Sequence, residues 1–281
     1  IVLPSWKQTS KRILVHELVH ALQDQRFNLS DLDKKTCRST DSCMALAALT
    51  EGDAVLIDEE YAKFHRAASG EEDKIETGQD YRCEIPEVLT LQGNFAYGFG
   101  KLFVKRQKDM GGNEAINEAF MHPPKSTREI LQKNDYSAYK GALFRSEILT
   151  VEEAPSSIGR KLLYEDTFGQ YTIRLMLARS GNQEKAILAA KGWKGDRLGL
   201  FKENGDLVMH WKTSWNTYSD AKEFFDLLRD IYSNQLQIPI SHQASYFKVE
   251  NIGYLSVELR QSQKHVVLKL KRFNFELADA S

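Results

Sequence analysis

The chain has 281 residues, 42% hydrophobic and 27% charged, which is enough for one large domain or two small ones. Its formal net charge of -1 removes any global electrostatic case for nucleic acid or an anionic membrane. No apolar run reaches the roughly 20 residues a membrane span needs, and no signal peptide, internal repeat or low-complexity tract stands out.

Residues 1–3 read as a short strand and residues 4–5 as a turn. The stretch ILVHELVHALQDQ, residues 13–25, then predicts a helix that is apolar on nearly every side, through Ile13, Leu14, Val15, Leu18, Val19, Ala21 and Leu22. A helix of that kind is expected to be buried. Buried ionisable groups need partners, so His16, Glu17 and His20 require an explanation. His16 and His20 stand four residues apart, one turn along the same face, where both imidazoles reach one metal ion. Glu17 lies beside them, placed to act on a metal-activated water without being a ligand. This is the HExxH arrangement of two histidine ligands and a glutamate general base. Asp24, four residues after His20 on the same face, is a candidate to orient a histidine.

Cys37 and Cys43 flank a polar loop, and Cys83 stands apart. No CxxC pair is present, which argues against a thiolate zinc site. Cys37 and Cys43 can close a small disulfide loop in an oxidising compartment or remain free thiols. A disulfide would fit a periplasmic or secreted location.

The next apolar helix, SCMALAALTEGDAVLIDEEYAKF, is capped by Ser42 on this reading. Catalytic zinc takes three protein ligands and keeps one open position, and Glu51 is the candidate third ligand. Gly52 costs helix propensity, so its expected use is close approach of two helices. Asp53 turns away from the Glu51 face and is expected behind the ligands or between helices. Asp53, Asp58 and Glu59 otherwise read as solvated charges.

Residues 85–120 read as helices interrupted at Gly111–Gly112. Ser126 and Glu129 form a predicted capping box at the start of another helix. His122, Tyr97, Tyr136 and Tyr139 are candidate donors to an oxyanion, and no spacing selects among them. After a linker over residues 152–159, the character changes. Two amphipathic helices, a hairpin about Asn204–Gly205, a capped helix and terminal strands predict a small sheet with helices on one face. Trp193, Trp211 and Trp215 are its expected core.

VHELVHALQDQ followed by ALTEGDA resembles the gluzincins, zinc peptidases with HExxH on one helix and a glutamate on a later one. More narrowly, FAYGFGKLFV, GGNEAINEAFMHPPKSTREIL, AAKGWKGDRLGLF and VMHWKTSWNTYSDAKEF resemble a group of bacterial and archaeal neutral zinc metallopeptidases. The resemblance runs to about residue 230. It implies one Zn2+ per chain held by His16, His20 and Glu51, with Glu17 as base. Where that group carries an HP..Y turn after REIL, this chain has QKNDY.

The combined expectation is an α+β protein. A mainly helical, zincin-like catalytic part occupies residues 1–155, and a smaller α+β part occupies 156–281. The expected function is hydrolysis of a peptide or protein substrate, most simply as an endopeptidase. The alternative is a catalytically inactive, zinc-containing binding platform. Zincins place strands ahead of the HExxH helix, so an upstream segment or a partner is expected to complete the sheet, in preference to the later strands supplying it.

Overall fold

Ser10 opens the first helix, α1 (Lys11–Phe27), by accepting the Ile13 N–H on its hydroxyl. Asn28 closes α1 in the left-handed conformation and caps α2 (Leu29–Thr36) by accepting the Asp31 N–H. The long α3 (Thr40–Ser69) follows. This computed structural model describes residues 10–69, 87–147, 149–150, 160–236, 246–249, 253–260 and 264–272. The expected strand and turn at residues 1–5, Cys83 and the expected boundary at 155 lie outside those residues. The chain divides into two compact units, Ile1–Phe144 and Arg145–Ser281.

Helix α3 is the centre of the first unit, packing against α1 and against α5 (Gly100–Met121). Its alanines and leucines, with Ala45, Ala48, Leu49 and Ala54 buried, make the contact faces. The helix begins at Thr40, two residues before the expected cap. Ser42 instead accepts the Arg38 and Ser39 N–H groups. Cys37 and Cys43 are disulfide-bonded with Cα atoms 4.3 Å apart, tying the end of α2 to the first turn of α3. Before α5 come α4 (Glu87–Asn94) and a π-helical turn, Phe95–Phe99. Within α5, Gly111 and Gly112 leave helical geometry, where the sequence predicts the break. The short α6 (Thr127–Leu131) and the two-residue strands β1 (Tyr136–Ser137) and β2 (Gly141–Ala142) follow among the described residues.

At α6 the predicted capping box forms only in part. Ser126 accepts the Arg128 N–H, but Glu129 reaches past the cap to the Lys125 N–H, at 3.2 Å. Glu129 is 2% exposed. Burial pushes its carboxyl up to about 8, and the nearby Asp41 and Asp135 charges add to the shift, while the Lys125 N–H and charge oppose it. The folded chain therefore holds a proton here that the unfolded chain releases above pH 4.5. Stability from this group is complete below that pH and is lost as pH rises through about 8. A Glu129→Gln variant keeps the shape and an acceptor for Lys125. It is expected to flatten the fall in stability over that range, with a gain on the order of 4 kcal/mol in mildly alkaline buffer. Urea midpoints across the pH range check this, and an unchanged slope would contradict it.

The second unit is one six-stranded antiparallel sheet in the order β3-β4-β5-β8-β7-β6. Its strands are β3 (Arg160–Asp166), β4 (Trp193–Glu203), β5 (Asp206–Trp215), β6 (Tyr246–Val249), β7 (Gly253–Arg260) and β8 (His265–Arg272). The β4–β5 hairpin turns at Asn204 and Gly205, both at positive φ, as the Asn-Gly pair predicts. Helices α7 (Gly169–Ala178), α8 (Gln183–Lys191) and α9 (Tyr218–Leu236) complete it, with α9 packing on β5, β7 and β8. Trp193, Trp211 and Trp215 are fully buried, and the Trp211 and Trp215 rings pack on Phe224 of α9. Asp196 is buried among them. It accepts four N–H groups at 2.9–3.0 Å, from the Phe168 and Gly169 backbone and the Trp193 and Trp211 indoles. Burial pushes its carboxyl up, and those four donors oppose the shift. The fold is α+β, as expected.

Candidate metal centre

Helical phase places His16 and His20 on the face of α1 that meets α3, and Glu51 lies on the facing side of α3. His16 Nε2 lies 3.2 Å from Glu51 Oε2, His20 Nε2 lies 3.4 Å from the same oxygen, and the two Nε2 atoms are 3.2 Å apart. The three form the only group of this kind among the described residues, their ligand atoms all within 4.8 Å of one another.

The opposite edge of each imidazole is held. His16 Nδ1 lies 3.0 Å from Asp58 Oδ2, and Asp58 Oδ1 accepts from Arg12 Nε at 2.7 Å. His20 Nδ1 lies 2.9 Å from Gln23 Oε1. Gln23 donates both of its amide protons, to the Thr50 carbonyl at 3.1 Å and to Asp53 Oδ2 at 2.8 Å. The acceptors behind both rings would satisfy an Nδ1–H on each, and a ring in that form offers its Nε2 lone pair. Two lone pairs and a carboxylate oxygen then converge within hydrogen-bond distance, and only a cation or a proton reconciles them. The hydrogen bond to Glu51 holds the His20 pKa above its ordinary value against the cost of burial. For Glu51, burial raises the pKa, but the His20 hydrogen bond and the charges of His20 and His16 outweigh it and the carboxyl is lowered.

Glu17 is half-buried, one residue after His16, and its charge is felt by both His20 and Tyr97. Of the candidate oxyanion donors, Tyr97 lies beside the cluster. Its ring centroid is 6.2 Å from that of His16, and the residue is 47% exposed. Burial raises its pKa, as do the charge of Glu51 and the hydrogen bond to it. The π-helical turn carries Tyr97, and such turns recur at functional sites because the extra residue re-aims side chains. The other candidates are engaged elsewhere. The buried Tyr136 donates to the His122 carbonyl at 2.8 Å and packs on Phe103. His122 is exposed, 3.9 Å from Glu118. The exposed Tyr139 has its hydroxyl close against Gly111.

Several sequence expectations change. Asp24 does not orient a histidine: it accepts the Leu29 N–H at 3.0 Å, at the junction of α1 and α2. Asp58 and Gln23 hold the rings instead. Asp53 and Asp58 are buried rather than solvated. Asp53 acts one step behind the site, through Gln23, and burial pushes its carboxyl up while the Gln23 hydrogen bond opposes the shift. Gly52 does serve a close approach, but to Gly100 of α5 rather than to α1. Helix α1 is not buried all round, since Leu18 is 47% and Leu22 63% exposed. They lie on the side turned away from α3, so contact with that one helix leaves them open.

A domain of unknown function (DUF8575) matches residues 160–269, a span within the second unit that holds none of the cluster. No curated protein and no solved structure matches the chain.

Proposed function

We propose that the chain is a zinc-dependent peptidase, with His16 Nε2, His20 Nε2 and Glu51 as ligands of one Zn2+ and Glu17 as general base. The observation that carries this reading is the convergence of His16 Nε2, His20 Nε2 and a Glu51 carboxylate oxygen on one point between α1 and α3. This donor set suits catalytic zinc, which keeps a fourth position for water. The resemblance of HELVH and TEGDA to the gluzincins supports it. Zinc held by these three residues would supply a water acidic near neutral pH and would polarise a carbonyl. Glu17 would accept a proton from water at the site and return it to the leaving amine. Tyr97 donates its phenolic hydrogen to the oxyanion that develops on the substrate carbonyl. Asp58 and Gln23 keep the imidazoles oriented throughout. The Cys37–Cys43 disulfide supports an extracytoplasmic location.

Zinc titration of metal-stripped protein tests the ligand set. The wild type is expected to bind one equivalent and to melt at a higher temperature with zinc, because the ligand binds only the folded chain. Glu51→Ala is expected to lose both responses. Full zinc occupancy in that variant would remove Glu51 from the ligand set.

A further inference from the structure

Resting on the zinc reading, and deepening it, we infer that Gln23 is a positioning residue that decides which ring nitrogen of His20 carries the proton, with Asp53 and the Thr50 carbonyl locking the Gln23 amide in the required orientation.

An amide side chain offers two donors on one end and only acceptors on the other. At Gln23 the donor end is committed twice, to Asp53 Oδ2 at 2.8 Å and to the Thr50 carbonyl at 3.1 Å. The Thr50 carbonyl can only accept, and Asp53 Oδ2 lies at hydrogen-bond distance from the same amide nitrogen. Turning the amide over would face Oε1 towards two oxygens and forfeit both bonds. Gln23 is 4% exposed, so no water replaces them cheaply. Oε1 is therefore fixed towards His20 Nδ1, 2.9 Å away. An acceptor there favours Nδ1–H over the competing Nε2–H bond to Glu51, and so turns the Nε2 lone pair to the point shared with His16 and Glu51. The chain of cause runs from a buried carboxylate on α3, through an amide on α1, to the tautomer of a ligand.

The two histidines are thus supported unequally. His16 donates to a carboxylate, Asp58, which Arg12 also holds. His20 donates to a neutral amide. An amide cannot take the proton from Nδ1, so it fixes the tautomer without drawing His20 towards imidazolate.

The test uses the whole chain and two readouts. The first is the His20 tautomer of the metal-free protein, from nitrogen-15 imidazole NMR in alkaline buffer where the neutral ring dominates. The second is zinc affinity. Gln23→Met keeps the volume and removes the acceptor. It is expected to turn the single Nδ1–H form into a mixture and to weaken zinc binding by about 10- to 100-fold. The double variant Gln23→Glu with Asp53→Asn exchanges carboxylate and amide, gives up the hydrogen bond to the Thr50 carbonyl but keeps an acceptor facing His20, and is expected to restore the Nδ1–H form. Retention of a single Nδ1–H form in Gln23→Met, with or without loss of zinc, would overturn the inference, as would failure of the exchange to restore the tautomer. A fixed Nδ1–H form in a wild type that binds no zinc would uphold the role of Gln23 and overturn the zinc reading instead.

Discussion

A Glu17→Gln variant is expected to keep the fold and to bind one zinc as the wild type does, while its peptide cleavage falls by about 100- to 10,000-fold. Glu17 is not among the three converging ligands, so the metal loses no contact when the carboxylate becomes an amide. What is lost is the ability to accept a proton. Glutamine has nearly the same shape, so the water and the substrate keep their places and the loss appears in kcat more than in KM. Paired zinc titrations and cleavage rates measure both halves. Wild-type cleavage by the variant would remove Glu17 from the chemistry, and loss of zinc would mean that it is a ligand.

Gly52→Ala is expected to destabilise the first unit and to weaken zinc binding, although alanine is the better helix former by about 1 kcal/mol. A Cβ at position 52 would lie 2.2 Å from the Gly100 carbonyl carbon and 2.4 Å from its oxygen. Those are backbone atoms, which cannot rotate away as a side chain can. Gly100 in turn presses on the Ala48 carbonyl, which a Cβ at Gly100 would meet at 2.1 Å. Helices α3 and α5 must therefore move apart, and the overpacking is expected to outweigh the propensity gain by about 2 kcal/mol or more. The displacement falls on the site, because Gly52 adjoins Glu51 and Gly100 directly follows the turn that carries Tyr97. Urea unfolding and zinc titration read the two effects. A variant as stable as the wild type would show that the contact between these helices is looser than the structure has it.

Two members of the His16–His20–Glu51 cluster were legible because their pattern is local. HExxH places two histidines on one face of a single helix. Glu51 could be sought by asking which other apolar helix holds a carboxylate. What stands behind the ligands was not legible, because it depends on helix rotation and on partners distant in sequence. Gln23 and Asp24 lie three and four residues after His20, and both spacings suit a neighbour one turn away. Only the packing of α1 on α3 shows that Gln23 turns inward and Asp24 outward. Asp58 sits amid Glu59 and Glu60, which pair with Lys101 and Lys108 at 2.8 and 2.7 Å, and nothing in that acidic run marks Asp58 as the buried member. Tyr97 was one tyrosine among several until the π-helical turn set it beside His16. In the second unit the Asn-Gly hairpin and the tryptophan core followed from local pattern. The insertion of β8 between β5 and β7 is a long-range pairing that no local signal encodes.

The most direct measurement of the central claim is cleavage of an unbiased peptide library by the zinc-loaded protein, with Glu17→Gln as the control. The account predicts defined internal cleavage sites for the wild type, their loss when zinc is chelated, and their absence in the control. One tightly bound zinc with no cleavage of any peptide would contradict it, and would make the His16–His20–Glu51 centre a structural one in a binding platform.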